Sequence, residues 1–507
     1  MGQNKANGDR VVGGFKQPSD STSMPYTWRS RFRDLDAESA VPPAFTERGA
    51  QAGIHLDGKM ILKEKTATGS STRRRTIGLG VIGLGTVGTG TVKVLLAHQR
   101  ELDRRLGCKL ELKAICSRSI HGRDLSWLVR PVKTTPDWRQ VIADPDVDLV
   151  VELVGELKTA HTIALAALAA RKHLVTANKQ LVAEYGLELA EQSRSAGTSL
   201  GIEACVAGGT PVLHAIREGL AAEHFTAVLG ILNGTTNYIL TEMEERGCPF
   251  AEALAQAQQK GYAEPDPTAD VEGHDARYKI AILAMLCFGA AVPVGEIPAE
   301  GIRRIEQVDF AYAHRLDHTI RLIAAARRVK GGRLEVYVRP MMIPRSAPLA
   351  GVRGSINGVL LVGSKGGNTM ISGRGAGGEP TAVAVLSDVM EIARDLLAGS
   401  SGPTPLGYTA WHPARLAPLD DDMAPFYLRL VVRDRPGILA RVCGVLARHR
   451  INIDSVLQEP AQSKTQLPFV MTLEPARQAQ VARAAGEIAR LPFLAEPPLM
   501  MPFFEGM

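Results

Sequence analysis

The stretch "GYAEPDPTADVEGHDARYK", residues 261–279, sets five carboxylates (Glu264, Asp266, Asp270, Glu272 and Asp275) beside one arginine and one lysine. Asp275 and Lys279 are four apart, so on a helix they share a face, and an exposed pair of this kind contributes only ~0.2–0.5 kcal/mol. The following run "IAILAMLCFGA" has no polar break, which predicts a helix buried on all sides and a partly desolvated ion pair. Desolvation lowers a lysine pKa and neighbouring carboxylates raise it, so Lys279 can be tuned as a general acid. The upstream acids, Glu264 and Asp270 among them, are then expected to hold a substrate ammonium. Pro265, Pro267 and Gly273 would fix the loop that presents them.

A proton donor needs a reaction partner and a platform. Gly83-Leu84-Gly85-Thr86-Val87-Gly88 forms a GxGxxG between a predicted strand and a predicted helix. There the glycines let the backbone approach a pyrophosphate, and the helix start offers free N–H groups. The bare string also fits a structural turn; its strand and helix context points to a dinucleotide. The second strand ends "ICSRS", with no acid for a ribose 2′-hydroxyl, whereas Ser117 and Arg118 can meet a 2′-phosphate. NADP(H) is therefore preferred and NAD(H) possible, the plain alternative being an ordinary surface arginine. "TANKQLVAEYG" puts Lys179 between a strand and a helix, at the carboxyl edge of the sheet where ligands of such folds bind, although a lone lysine there is more often solvated.

Around these motifs the chain of 507 residues, 45% hydrophobic and 22% charged, has room for several cores. Residues 1–74 lack a sustained period and are expected as a disordered tail. Alternating strands and helices over 75–204 predict a Rossmann-type, doubly wound parallel sheet. Glycine-rich loops, long helices near 250–260, 275–290 and 306–330, and strands such as "RLEVYVRP" predict an α+β catalytic and dimerisation domain over 205–395. Proline, glycine and acid content marks 396–425 as a flexible linker. A strand, loop, helix, strand order then opens a small βαβ-type module at 426–505. The net charge of +6 is spread thinly and aromatics are only 5%, which gives no support to nucleic-acid binding. No apolar run is long enough to span a membrane, and the six cysteines match no zinc or disulfide spacing, so a cytoplasmic protein is expected.

The run Ala257-x-x-x-Gly261-Tyr262, followed by Asp266-Pro267-x-x-Asp270-Val271-x-Gly273-x-Asp275-x-x-x-Lys279, closely resembles the homoserine dehydrogenase signature. "DLVVELVGE", "VTANKQLVAEYG", "GILNGTTNYIL" and "SGRGAGGEPTA" agree, so the resemblance covers about 76–400. It implies NAD(P)H-dependent reduction of aspartate 4-semialdehyde to homoserine, on the route to threonine, methionine and isoleucine. By that resemblance Lys279 donates the proton, Asp275 is its catalytic neighbour, Glu264 binds the amino-acid substrate, and Lys179 touches cofactor or substrate. Gly261 and Gly377 would lie beside the cofactor. A sodium ion is implied in "EACVAGGTP", at Glu203, Val206, Gly208 and Thr210, largely through backbone oxygens. His274 departs from the apolar residue expected before Asp275. "VRDRPGILARVCGVLARHRINIDSV" resembles a ferredoxin-like ACT domain, with Asp434, Pro436 and Gly437 at its turn. That implies an amino-acid effector such as threonine and a homo-oligomer, dimer or tetramer; a plain dimerisation module is the simpler reading. Two other functions are weighed. A regulatory sensor without turnover has no need of every polar group in 261–279, and another semialdehyde or amino-acid dehydrogenase leaves "NGTTNYIL" without a role.

Overall fold

A computed structural model describes residues 76–128, 130–400, 407–459 and 464–505; the tail expected at 1–74 lies outside them. The first unit comprises β1 (Thr76–Ile82), α1 (Thr86–Leu106), β2 (Lys109–Cys116), β3 (Lys133–Thr135), α2 (Trp138–Ala143), β4 (Leu149–Glu152), α3 (Leu157–Ala169), β5 (His173–Thr176), α4 (Lys179–Ala196) and β6 (Leu200–Gly201). All strand pairs are parallel, in the order β3-β2-β1-β4-β5-β6. Helices cover both faces, so β1 after Thr76 and β4 up to Val151 read as unbroken apolar runs rather than alternating ones. The chain leaves β1 in one direction and returns to pair β4 on its other side, which opens the crevice of a doubly wound sheet between those strands.

The second unit contains α5 (Val212–His214), β7 (Phe225–Ile231), α6 (Gly234–Arg246), α7 (Phe250–Gln259), α8 (Thr268–Val271), α9 (His274–Phe288), β8 (Ala290–Ala291), α10 (Gln307–Arg315), β9 (His318–Val329), β10 (Arg333–Pro344), β11 (Ile356–Gly363), β12 (Asn368–Arg374), α11 (Gly378–Ala398) and β13 (His412–Pro413). Its main sheet is antiparallel, in the order β10-β9-β7-β11-β12. The helix expected over 306–330 is corrected. α10 stops at Arg315, Asp317 turns with φ +58°, and "HTIRLIAAARRV" is a central strand. Ala324, Ala325 and Ala326 favour a helix locally, but each is fully buried in β9, whose ladders to β7 and β10 and packing under α6 and α9 override propensity. α9 is buried as expected: every side chain from Lys279 to Phe288 is inside. α11 returns to the first unit, where Val385, Val389 and Ala393 share a core with Ile77, Val92 and Leu95.

The third unit is β14 (Met423–Val432), α12 (Ile438–Arg448), β15 (Ile453–Leu457), β16 (Leu467–Arg477), α13 (Gln478–Ile488) and β17 (Leu499–Pro502), an antiparallel sheet in the order β15-β16-β14-β17. One face packs under α12 and α13. On the other, Tyr427, Val470, Leu499 and Met501 join the core of the second unit. The flexible-linker reading of 396–425 is also corrected over its described residues. Tyr408 Oη donates to Cys287 O at 3.2 Å, and the N–H groups of Leu334 and Ala417 exchange bonds with Arg415 O and Leu334 O, each at 2.8 Å. Asp422 pairs with Arg339 at 2.5 Å inside the protein and also with Arg327. Proline and glycine there mark irregular backbone; they do not mark an absence of contacts.

Candidate active site

Gly273, with φ +80°, turns the chain from α8 into α9, where Asp275 and Lys279 face the same side one turn apart. Both are less than a tenth exposed, so each charge needs partners. Lys279 Nζ donates to Asp275 Oδ2 at 2.6 Å and to Leu232 O at 2.7 Å. Two of an ammonium's three N–H groups are thereby aimed by the protein, leaving the third for a ligand. The other oxygen, Asp275 Oδ1, lies 3.0 Å from Lys179 Nζ at the start of α4. Burial opposes the Asp275 charge, but the Lys279 and Lys179 ammoniums outweigh it and hold the carboxyl well below the usual range. Asp275 in turn raises the Lys179 pKa.

Sequence reasoning gave no role to Asn233, which organises this cluster. Its Nδ2 donates to Asp275 Oδ2 at 2.9 Å and to Asp270 Oδ1 at 2.7 Å, while Oδ1 caps α6 by accepting from Thr236 N at 2.8 Å. An asparagine before a helix start in "ILNGTTNYIL" was the available signal. Burial, then the neighbouring Asp275, pushes the Asp270 carboxyl up. The remaining acids serve differently. Asp266 accepts from Thr268 N at 3.1 Å to start α8, and Glu272 pairs with Arg303 at 2.5 Å. Glu264 stands exposed between α7 and α8, its carbonyl accepting from Gln258 at 3.2 Å. Among the described residues no ion pair joins it to Lys179 or Lys279. Gly261 ends α7 with φ +72°, and the next carbonyl, of Tyr262, accepts from Thr235 Oγ1 at 2.7 Å.

Across the crevice, Gly83 and Gly88 are demanded by the fold. Gly83 has φ +103°, and a Cβ on Gly88 would stand 1.9 Å from Gly83 O. Gly85 is not: a Cβ there would meet nothing within 4 Å, and α1 starts after it without a side-chain cap. Open space before free N–H groups at Thr86 and Val87 fits a phosphate. The Gly377-Gly378 start of α11 comes up against Thr86. Arg118 is exposed just after β2.

The 203–210 loop is tightly held. The Glu203 carboxylate accepts from Leu213 N at 3.0 Å and His214 N at 2.7 Å, and burial pushes it up to about 7. His214 Nε2 lies 2.6 Å from Glu391 and 3.2 Å from Asp388; bonded to Asp388 and then Glu391, it is raised to about 10. Thr210 Oγ1 donates to Arg374 O at 3.3 Å, Val206 is buried, and Gly208 has φ +20°. With the Glu203 side chain so occupied, a cation here would rely on backbone oxygens.

A doubly wound sheet with an open glycine turn, facing a buried carboxylate held between two lysines, defines a dinucleotide-dependent oxidoreductase. Residues 83–203 match the family model "Homoserine dehydrogenase, NAD binding domain", 211–390 match "Homoserine dehydrogenase", and 426–493 match "ACT domain". The chain belongs to the homoserine dehydrogenase family. It is 37% identical over 433 residues to homoserine dehydrogenase of Neisseria gonorrhoeae, covering 84% of this chain and 98% of that protein. With the Bacillus subtilis enzyme it shares 37% over 397 residues, 78% of this chain and 91% of that one. The crystal structure of a homoserine dehydrogenase from Thiobacillus denitrificans superposes with TM-score 0.78 at 35% identity, covering 85% and 98% of the two chains. No described helix is long and apolar enough to cross a membrane.

Proposed function

We propose that this chain interconverts L-aspartate 4-semialdehyde and L-homoserine, with NADPH preferred to NADH. The observation that carries the reading is the Lys179–Asp275–Lys279 cluster where α4 meets α9. The nicotinamide cofactor, when bound, supplies the hydride. Lys279 gives its proton to the carbonyl oxygen as that atom takes up negative charge, and Asp275 with Leu232 O keeps its ammonium aimed. Lys179, firmly protonated beside Asp275, contacts the substrate carboxylate or the cofactor. Glu264 and Asp270 receive the substrate ammonium: Glu264 is exposed in the loop, while Asp270 is held in place by Asn233. Thr86, Val87, Gly261 and Gly377 border the cofactor, and Arg118 meets a 2′-phosphate.

Three further assignments complete the reading. A sodium ion binds the 203–210 loop through backbone oxygens, Glu203, Val206, Gly208 and Thr210 marking the place. Threonine binds the 426–505 module, where α12 starts at Gly437, φ +86°, without a side-chain cap. The functional unit is a homo-oligomer. Oxidation of NADPH that depends on the semialdehyde tests the reading. Absence of turnover by a folded chain that binds both ligands would favour the regulatory sensor instead.

A further inference from the structure

β4 ends at Glu152, a fully buried carboxyl beside the point where the strand order reverses. Its Oε2 accepts from Thr176 Oγ1 at 2.6 Å and its Oε1 from Val154 N at 2.5 Å. Thr176 Oγ1 accepts in turn from Asn178 N at 3.0 Å, and Asn178 Nδ2 donates to Val154 O at 3.0 Å. These bonds close a ring around the turns that follow β4 and β5. Asn178 Oδ1 also caps α4 by accepting from Leu181 N at 3.0 Å.

Both turns lead to the crevice. The residue after Asn178 is Lys179, whose Nζ reaches Asp275 at 3.0 Å. The residue after Glu152 is Leu153, whose carbonyl would lie 2.5 Å from a Cβ on Gly83. An apolar residue in place of Glu152 would leave the half-buried Val154 N–H and the fully buried Thr176 hydroxyl without their acceptor, a loss that burial makes costly at Thr176 above all. Burial pushes the carboxyl up to about 7, so the fold keeps an expensive group at this spot.

We propose that Glu152 is a positioning residue for the proposed reaction, acting through Thr176 and Asn178 on the placement of Lys179. The inference rests on the function argued above. In the full chain, Glu152→Ala is expected to lower kcat about tenfold or more while KM for NADPH moves less than about threefold, a split that general loosening would not produce. Glu152→Gln restores most of the rate, because an amide can still accept from Val154 N and bond the Thr176 hydroxyl.

Thr176→Val, nearly the same shape, leaves the carboxyl in place and is expected to reproduce the kcat-selective loss in a chain that folds with a native circular-dichroism spectrum at assay temperature, so folding failure in Glu152→Ala does not decide the matter. In a Lys179→Ala background, Glu152→Ala should add little, because both changes remove the same placement. An active wild type with unchanged kcat in both Glu152→Ala and Thr176→Val, or losses that multiply in the double variant, would overturn the proposal alone. A wild type without semialdehyde turnover would overturn the functional reading and this inference with it.

Discussion

Lys179 Nζ lies 3.0 Å from Asp275 Oδ1, an ion pair between the first residue of α4, in the first unit, and the first turn of α9, in the second unit. Asp275 thereby shares one negative charge between two ammoniums, Lys179 and Lys279. Two ammoniums held at one place suit a site where a carbonyl oxygen becomes an alkoxide.

Replacing the proposed proton donor tests the central assignment. Lys279→Met keeps a long side chain inside α9 and is expected to lower kcat by about 10²–10⁴-fold, the usual share of a general acid. NADPH titration should show nearly unchanged binding, and near wild-type turnover would remove Lys279 from the mechanism.

Asp275 also ties stability to pH. Its folded pKa is held below the ordinary 3.8, so its contribution is full above that value and is lost progressively as pH falls from there through the lower folded pKa. Asp275→Asn is expected to lower both kcat and stability at neutral pH. Denaturation curves taken down to pH 3 should fall less steeply with acid for this variant than for the wild type.

Glu152 has the opposite sign. Its folded pKa, about 7, lies above the ordinary 4.5, so its favourable share is full below 4.5 and is lost as pH rises through 7. Relative to the wild type, Glu152→Gln should gain roughly 2 kcal/mol between pH 5 and pH 8, as an order of magnitude. Urea unfolding at the two pH values measures the gain; a pH-independent difference would mean that the buried carboxyl does not titrate there.

Cofactor choice rests on Arg118 and an acid-free end to β2. The wild type should use NADPH better than NADH, judged by kcat/KM. Arg118→Asp should reverse the order by repelling a 2′-phosphate, and a wild-type preference for NADH would refute the assignment.

Effector binding is read at the start of α12. Gly437→Asp puts a carboxylate where a ligand's own would sit and should raise the threonine concentration needed for half-inhibition at least about tenfold. A wild-type rate unaffected by millimolar threonine, with no heat of binding in calorimetry, would leave the module a structural one. Deleting it is a poor alternative test: Asp309, pushed up to about 6 by burial, would lose its bonds from Tyr427 at 2.6 Å and Arg429 at 2.8 Å.

Local order was legible in the sequence wherever spacing is itself the physical cause. The apolar run of β1, the glycine turn at Gly83 to Gly88 and the four-residue step from Asp275 to Lys279 were all read in place. So was the burial of α9, because turns and periods are properties of neighbouring residues. Tertiary structure decided what depends on distant partners. "HTIRLIAAARRV" became β9 because β7 and β10 offered ladders on both sides, and α11 packed on α1 although a whole domain separates them in sequence. Of five similar acids, only folding drew Asp270 and Asp275 to Asn233, turned Asp266 to a helix start and paired Glu272 with Arg303. Glu152 resembled any strand end until β5 supplied the hydroxyl of Thr176. A hydrogen bond needs its partner within about 3 Å, and sequence spacing carries no record of which distant residue arrives there.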